Sequence, residues 1–104
     1  MSDLQPWQRD LLLDLLAQYV PRAEVWAFGS RVRGEAHPAS DLDLVVRCPR
    51  DPEQPMPGLL ALRAALCDSA LPFSVDLLDW AAISDGMRQA IATHYELLRS
   101  PDPQ

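Results

Sequence analysis

Apolar side chains recur every three to four positions along the first stretch of the chain. Leu4, Trp7, Leu11, Leu12, Leu15, Leu16 and Tyr19 form one stripe, the period of an amphipathic helix. Pro21 stops it, because a proline lacks the N–H a further turn needs. Trp7 and the leucines are assigned to the core. "AEVWAF", residues 23–28, is short and β-prone and reads as a strand ending at Gly29. A turn-rich stretch, "GSRVRGEAHPAS", follows, with room for a short helix from Ser30. It leads into a second strand, "DLDLVVR", residues 41–47. "CPRDPEQPMPG" packs in four prolines and reads as an extended loop. "LLALRAALCDSAL" predicts a helix with Leu59, Leu62 and Leu66 on one face, and "PFSVDLLDW" a third strand. The last pattern predicts a helix over about 84–99, with Met87, Ile91, His94, Tyr95 and Leu98 on one stripe. Ser84 suits its N-cap and Asp85 its positive first turn. The tail, 100–104, is expected to fray.

The order helix, strand, strand, helix, strand, helix predicts an α/β (α+β) layer fold: a small mixed β-sheet flanked by helices. Three strands make a narrow sheet, whose edge is open to a partner. The 104 residues fit a single domain, 1–104, able to bury one core. No apolar run is long enough to span a membrane, and the polar, acidic start lacks the basic and apolar regions of a secretory signal. Cys48 and Cys67 form neither a CxxC nor a Cys/His cluster, so reduced thiols and a cytoplasmic location are expected. All nine basic residues are arginine, and the net charge is −6. That balance repels polyphosphate backbones and argues against direct nucleic-acid binding, while leaving room for a nucleotide held through cations and for a basic protein partner.

Against this ordinary background the second strand is odd. Aspartate is depleted in strands, yet alternation sends Asp41 and Asp43 to one face while Leu42 and Leu44 point to the other. Two such carboxylates are either a harmless solvated pair or ligands of a divalent cation, since Mg²⁺ prefers carboxylate oxygens. Asp76, mid-strand in "SVDLLD", would join them if its strand neighbours "DLDLVV". Three carboxylates can hold two metal ions roughly 4 Å apart, the arrangement for in-line phosphoryl or nucleotidyl displacement. Gly29 would let the backbone approach a phosphate closely, and Ser30 offers a hydroxyl and an amide. A Gly-Ser pair alone usually means only a turn. Gly-Ser after one strand, Asp-x-Asp on the next and a lone Asp on a third form a far more specific set.

These residues resemble the nucleotidyltransferase superfamily that includes the polymerase-β palm and the kanamycin nucleotidyltransferases, and within it the minimal nucleotidyltransferases. The motif of that group is Gly-Ser, ten residues, then Asp-x-Asp; here Gly29-Ser30, residues 31–40, then Asp41-Leu42-Asp43. "FGSRVRGEAHPASDLDLVV" follows the family's style throughout, including Arg31, Arg33, Gly34 and Ser40. The resemblance implies a polymerase-β-type palm, two Mg²⁺ ions on Asp41, Asp43 and Asp76, and ATP as substrate, its triphosphate held by Ser30 and its amide. Arg31 and Arg33 would steady the phosphates. It further implies an antitoxin whose partner is an all-helical HEPN-type toxin, and AMP transfer from ATP onto a toxin tyrosine. The chain has no residues left for a second domain that would recognise an acceptor. That favours a protein acceptor over a small molecule such as an aminoglycoside. A protein that neutralises its partner merely by covering it is the other alternative. His37 and His94 receive no catalytic role.

Overall fold

A computed structural model of the chain describes residues 4–34 and 41–101. His37, Ser40 and the last three residues of the tail lie outside the described residues. Helix α1 covers Pro6–Tyr19. Pro6 occupies its first turn, where no N–H is missed, and the Gln8 side chain accepts the Gln5 amide at 2.9 Å. Leu12 and Leu16 are fully buried. Trp7, expected in the core, is instead 49% exposed; Leu4, just ahead of the helix, is the residue buried at this end.

Strand β1 is Glu24–Phe28, and a single turn, α2, follows at Ser30–Arg33. Strand β2 is Leu42–Arg47, helix α3 Leu59–Cys67 and strand β3 Val75–Asp79. A 3-10 turn at Trp80–Ala82 leads to helix α4, Asp85–Thr93, whose N-cap Ser84 accepts the Met87 amide at 3.1 Å. The pattern expected to be helical to residue 99 breaks at His94, and Tyr95–Arg99 form a fourth strand, β4. The sheet order is β3-β2-β1-β4, with β1 antiparallel to both neighbours and β2 parallel to β3. Without β4, one edge of β1 would leave its N–H and C=O groups unpaired, and pairing outweighs a helical continuation through Thr93, His94 and Tyr95, all poor helix formers. The helix from Leu59 likewise stops earlier than its apolar pattern, with Asp68 as C-cap.

Alternation divides the sheet into two unlike faces. Val25, Ala27, Leu42, Leu44, Val46, Leu77 and Leu98 join Leu12, Leu16 and Leu62 in the main core, beneath α1 and α3. Burying each such leucine contributes about 1.5–3 kcal/mol, so this face anchors the fold. The opposite face carries a smaller cluster of Trp26, Val45, Trp80 and Ile91, covered by α4 and the 3-10 turn. Trp26 stacks on Tyr95 at 3.9 Å between ring centroids and meets Trp80 edge-on at 5.1 Å. Glu24 accepts from both Trp26 Nε1 and Arg47 at 2.8 Å, and the Arg47 guanidinium lies over both indoles. The proline-rich loop is tied down at two points: the Met56 amide donates to Asp79 Oδ2 at 3.1 Å, while Asp79 Oδ1 accepts the Ala81 amide, and Arg88 of the helix after the 3-10 turn donates to Glu53 Oε1 at 2.6 Å. Asp79 is thereby occupied as a structural cap.

Candidate functional site

The sheet's second face is polar at one end, and that end gathers most of the residues singled out in the sequence. In the parallel register Asp43 lies directly opposite Asp76, so both side chains leave the same face at the inter-strand spacing of about 4.8 Å. On its other side Asp43 pairs with Phe28, the last residue of β1. The next residue, Gly29, has φ 82° and ψ −157°, a conformation open essentially only to glycine. A Cβ on Gly29 would fall on Asp43 Oδ2 and lie 3.1 Å from its Cγ. Gly29 is therefore required twice, by its backbone angles and by the carboxylate packed against it.

The electrostatics agree with the geometry. Partial burial pushes the Asp43 carboxyl above the usual range, and the negative charges of Asp76 and then Asp41 push it further; Arg33 opposes them. Asp41 and Asp76 are exposed and Asp43 half-buried, so the patch faces solvent. Among the described residues, no three His, Cys, Asp or Glu side chains stand in an arrangement that holds a metal ion. The donor chemistry nevertheless suits a hard cation: oxygen-only ligands, repelling one another around a half-buried acid.

The two arginines part company. Arg33 is exposed on α2, and its charge acts on Asp43. Arg31 is only 6% exposed, with its guanidinium over the Phe73 ring at 4.4 Å. Ser30 opens α2 and is half-buried beside Gly29.

A cavity of about 210 Å³ opens beside Gly29, lined by Phe28, Gly29, Met87, Ala90, Ile91 and His94, with Arg33 at its wall. Its α4 side was not legible in the sequence, because those residues stand far along the chain from the Gly-Ser pair and show no motif. A larger cavity, about 480 Å³, lies between α3 and the approach to β3, but none of Gly29, Ser30, Arg31, Arg33, Asp41, Asp43 and Asp76 lines it. Size gives way to chemistry here: the smaller cavity shares Gly29 with Asp43.

The family described as "Nucleotidyltransferase domain" matches residues 9–96, nearly the whole fold. This chain belongs to that family. This nucleotidyltransferase is 38% identical over 102 residues to the "Probable protein adenylyltransferase MntA" of Haemophilus influenzae, covering 96% of this chain and 86% of that protein. A solved toxin–antitoxin complex with AMP-PNP superposes with a TM-score of 0.70 at 26% identity, over 88% of this chain and 73% of that one. The nucleotidyltransferase also shares its fold with a structure of tri-AMPylated Shewanella oneidensis HEPN toxin in complex with MNT antitoxin (TM-score 0.66, 23% identity, 93% and 73% covered). The small mixed sheet flanked by helices, expected from the sequence, is the fold shared with these two solved structures. No helix among the described residues is long and apolar enough to cross a membrane.

Proposed function

We propose that this nucleotidyltransferase is a Mg²⁺-dependent protein adenylyltransferase, an antitoxin that moves AMP from ATP onto a tyrosine hydroxyl of a HEPN-type toxin. The observation that carries the reading is the Asp43–Asp76 pair packed against Gly29, with the Asp43 carboxyl raised by its acidic neighbours. Like charges gathered around one half-buried carboxylate cost stability unless a cation is meant to balance them. The similarity to an adenylyltransferase and to toxin–antitoxin complexes, one with AMP-PNP and one with an AMPylated toxin, supports the same reading.

Asp41, Asp43 and Asp76 would hold the ions, which when bound would neutralise the phosphates and the leaving pyrophosphate. Ser30, with its hydroxyl and amide, and exposed Arg33 hold the triphosphate end, and Gly29 keeps the backbone low enough for that approach. Asp76 takes the proton of the acceptor hydroxyl. The acceptor oxygen then bonds to the α-phosphorus, the bond between the α- and β-phosphates breaks, and pyrophosphate departs. We assign Arg31 to support rather than to direct phosphate contact, because its guanidinium is buried over Phe73. Free Cys48 and Cys67 and the need for ATP are consistent with work in the cytoplasm.

The test is to incubate the purified chain with its partner, Mg²⁺ and ATP labelled on the α-phosphate. Label is expected on a partner tyrosine, and Asp41→Ala combined with Asp43→Ala should abolish it while the fold survives. If the wild type neutralises its partner and no label ever appears, the protein acts by covering and the enzymatic reading is wrong.

A further inference from the structure

We propose that Phe73 is a positioning residue for the phosphate-binding turn: it holds the Arg31 guanidinium so that Ser30 and Arg33 stay aimed at the acidic patch. This rests on the nucleotide-transfer reading above and adds to it a residue outside the Gly-Ser and Asp-x-Asp motifs.

The turn needs an anchor beyond itself. Helix α2 has four residues, far below the roughly 12–15 at which an isolated helix becomes even marginally stable. Its N-cap is a glycine, with no side chain to cap the first amides, and Gly34 closes it in the left-handed conformation. Its side chains divide by spacing. Ser30 and Arg33, three residues apart, share the face that carries the phosphate-binding groups. Arg31 and Val32 form the root: Val32 packs on the main core, and Arg31 is buried.

Burying a guanidinium is costly unless partners offset it. The Phe73 ring is such a partner, with its centroid 4.4 Å from the guanidinium carbon and well within cation–π range. An aliphatic side chain would pack there with little directional preference, whereas a flat guanidinium over a flat ring fixes an orientation. What the ring is attached to matters as much. Phe73 directly precedes Ser74, whose carbonyl accepts the Leu42 amide at 2.9 Å. Leu42 stands between Asp41 and Asp43, and Asp76 follows Ser74 by two residues. The Arg31–Phe73 contact therefore ties the turn to the point where both carboxylate-bearing strands begin. Without the ring, α2 would divide its time among orientations, and only the aimed fraction would bind ATP at full strength. Apparent affinity falls by that fraction, while the rate at saturation survives because bound triphosphate restores the aim.

Phe73→Leu keeps the apolar bulk and removes the ring face, whereas Phe73→Tyr keeps the ring. Leu71→Ala, on the same approach to β3 and packed against the main core, reports plain destabilisation. Equilibrium binding of tripolyphosphate and AMP-PNP to the full chain with Mg²⁺, together with transfer kinetics on the partner, reads all three. Phe73→Leu is expected to weaken both probes and raise the KM for ATP by at least about fivefold, the scale of a desolvated cation–π contact. Its kcat and its KM for the partner should stay as in wild type. Phe73→Tyr should restore tight binding, and Leu71→Ala should lower the Tm alone. If Phe73→Leu fails to fold, Arg31→Lys is read the same way, since an ammonium keeps the charge and loses the flat stack. The proposal is overturned if the ring-less variant binds tripolyphosphate like wild type, if Leu71→Ala loses as much affinity, or if wild type holds no tripolyphosphate. Weaker tripolyphosphate binding with no label on any partner keeps the anchor and removes the transfer reaction. A labelled partner with an unchanged KM for ATP does the reverse.

Discussion

Replacing Gly29 by alanine tests the site at its tightest point. The backbone there, φ 82° and ψ −157°, costs a residue with a side chain about 1–3 kcal/mol. The new methyl would also fall on Asp43 Oδ2, so the carboxylate must move aside. A domain of this size has about 5–15 kcal/mol of stability to draw on, so the variant should fold. Its Tm should fall by about 4–8 °C for each kcal/mol lost. Activity should suffer far more, because a misplacement of about 1 Å in a reacting constellation costs about 100-fold in rate. Gly34→Ala supplies the control. Its φ of 76° carries a similar backbone penalty, about 1–2 kcal/mol, with nothing among the described residues within 4 Å of the added methyl. Calorimetry and initial rates of AMP incorporation into the partner, taken well below both midpoints, separate the two effects. Gly34→Ala should melt earlier and transfer normally; Gly29→Ala should melt earlier and lose about 100-fold. Wild-type transfer by Gly29→Ala would refute the close-approach argument. An equal loss in Gly34→Ala would show that backbone destabilisation alone is responsible.

Asp43 predicts a pH signature. Its folded-state carboxyl is raised by burial and by Asp76 and Asp41, so the folded chain binds this proton more tightly than the unfolded one. The stabilisation is complete below the ordinary aspartate range and is lost as pH rises through the raised folded value. In metal-free buffer Asp43→Asn should remove that step from denaturation midpoints measured across the acid range, and Mg²⁺ should raise the Tm of wild type but not of the variant. Arg31→Ala should lower stability by about 1–3 kcal/mol through loss of a buried stacked side chain, whereas Arg33→Ala should raise the KM for ATP with little change in Tm. Leu44→Ala, in the main core, should cost about 2–5 kcal/mol in urea denaturation, a cavity effect with no counterpart in ATP binding at temperatures where the variant is folded.

The sequence carried the central elements where local chemistry was unambiguous. Pro21 ended α1, Gly29 ended β1, and the apolar alternation of Leu42 and Leu44 placed β2 and set Asp43 on the opposite face. The adjacency of Asp43 and Asp76 was conditional on two strands being neighbours, and only the parallel register supplies it. Tyr95–Arg99 stayed hidden because Ile91, Tyr95 and Leu98 also satisfy a helical period. The competing partner, the free edge of β1, lies some seventy residues upstream. Trp7 fell on the apolar stripe although it stands in the helix's first turn, where Leu4 fills the core. Arg31 looked like a companion of Arg33, yet a four-residue helix turns the two to different surroundings. The cavity wall on α4 had no local signature, since apolar residues in a helix read alike whether they face a core or a cavity.

The pairing of the last strand with the first also sets a schedule for the chain during synthesis. Strands β1 and β2 are complete by residue 47, and β3 with its Asp76 by residue 79. Only when Tyr95–Arg99 leaves the ribosome can β1 gain its second neighbour and His94 take its place beside Gly29. A nascent chain therefore carries its acidic triad before the wall next to it is built, and for that interval it exposes an unpaired strand edge. Stalling or truncation ahead of residue 95 would release a protein with all its motif residues and an open sheet, prone to associate through β1 instead of meeting its partner.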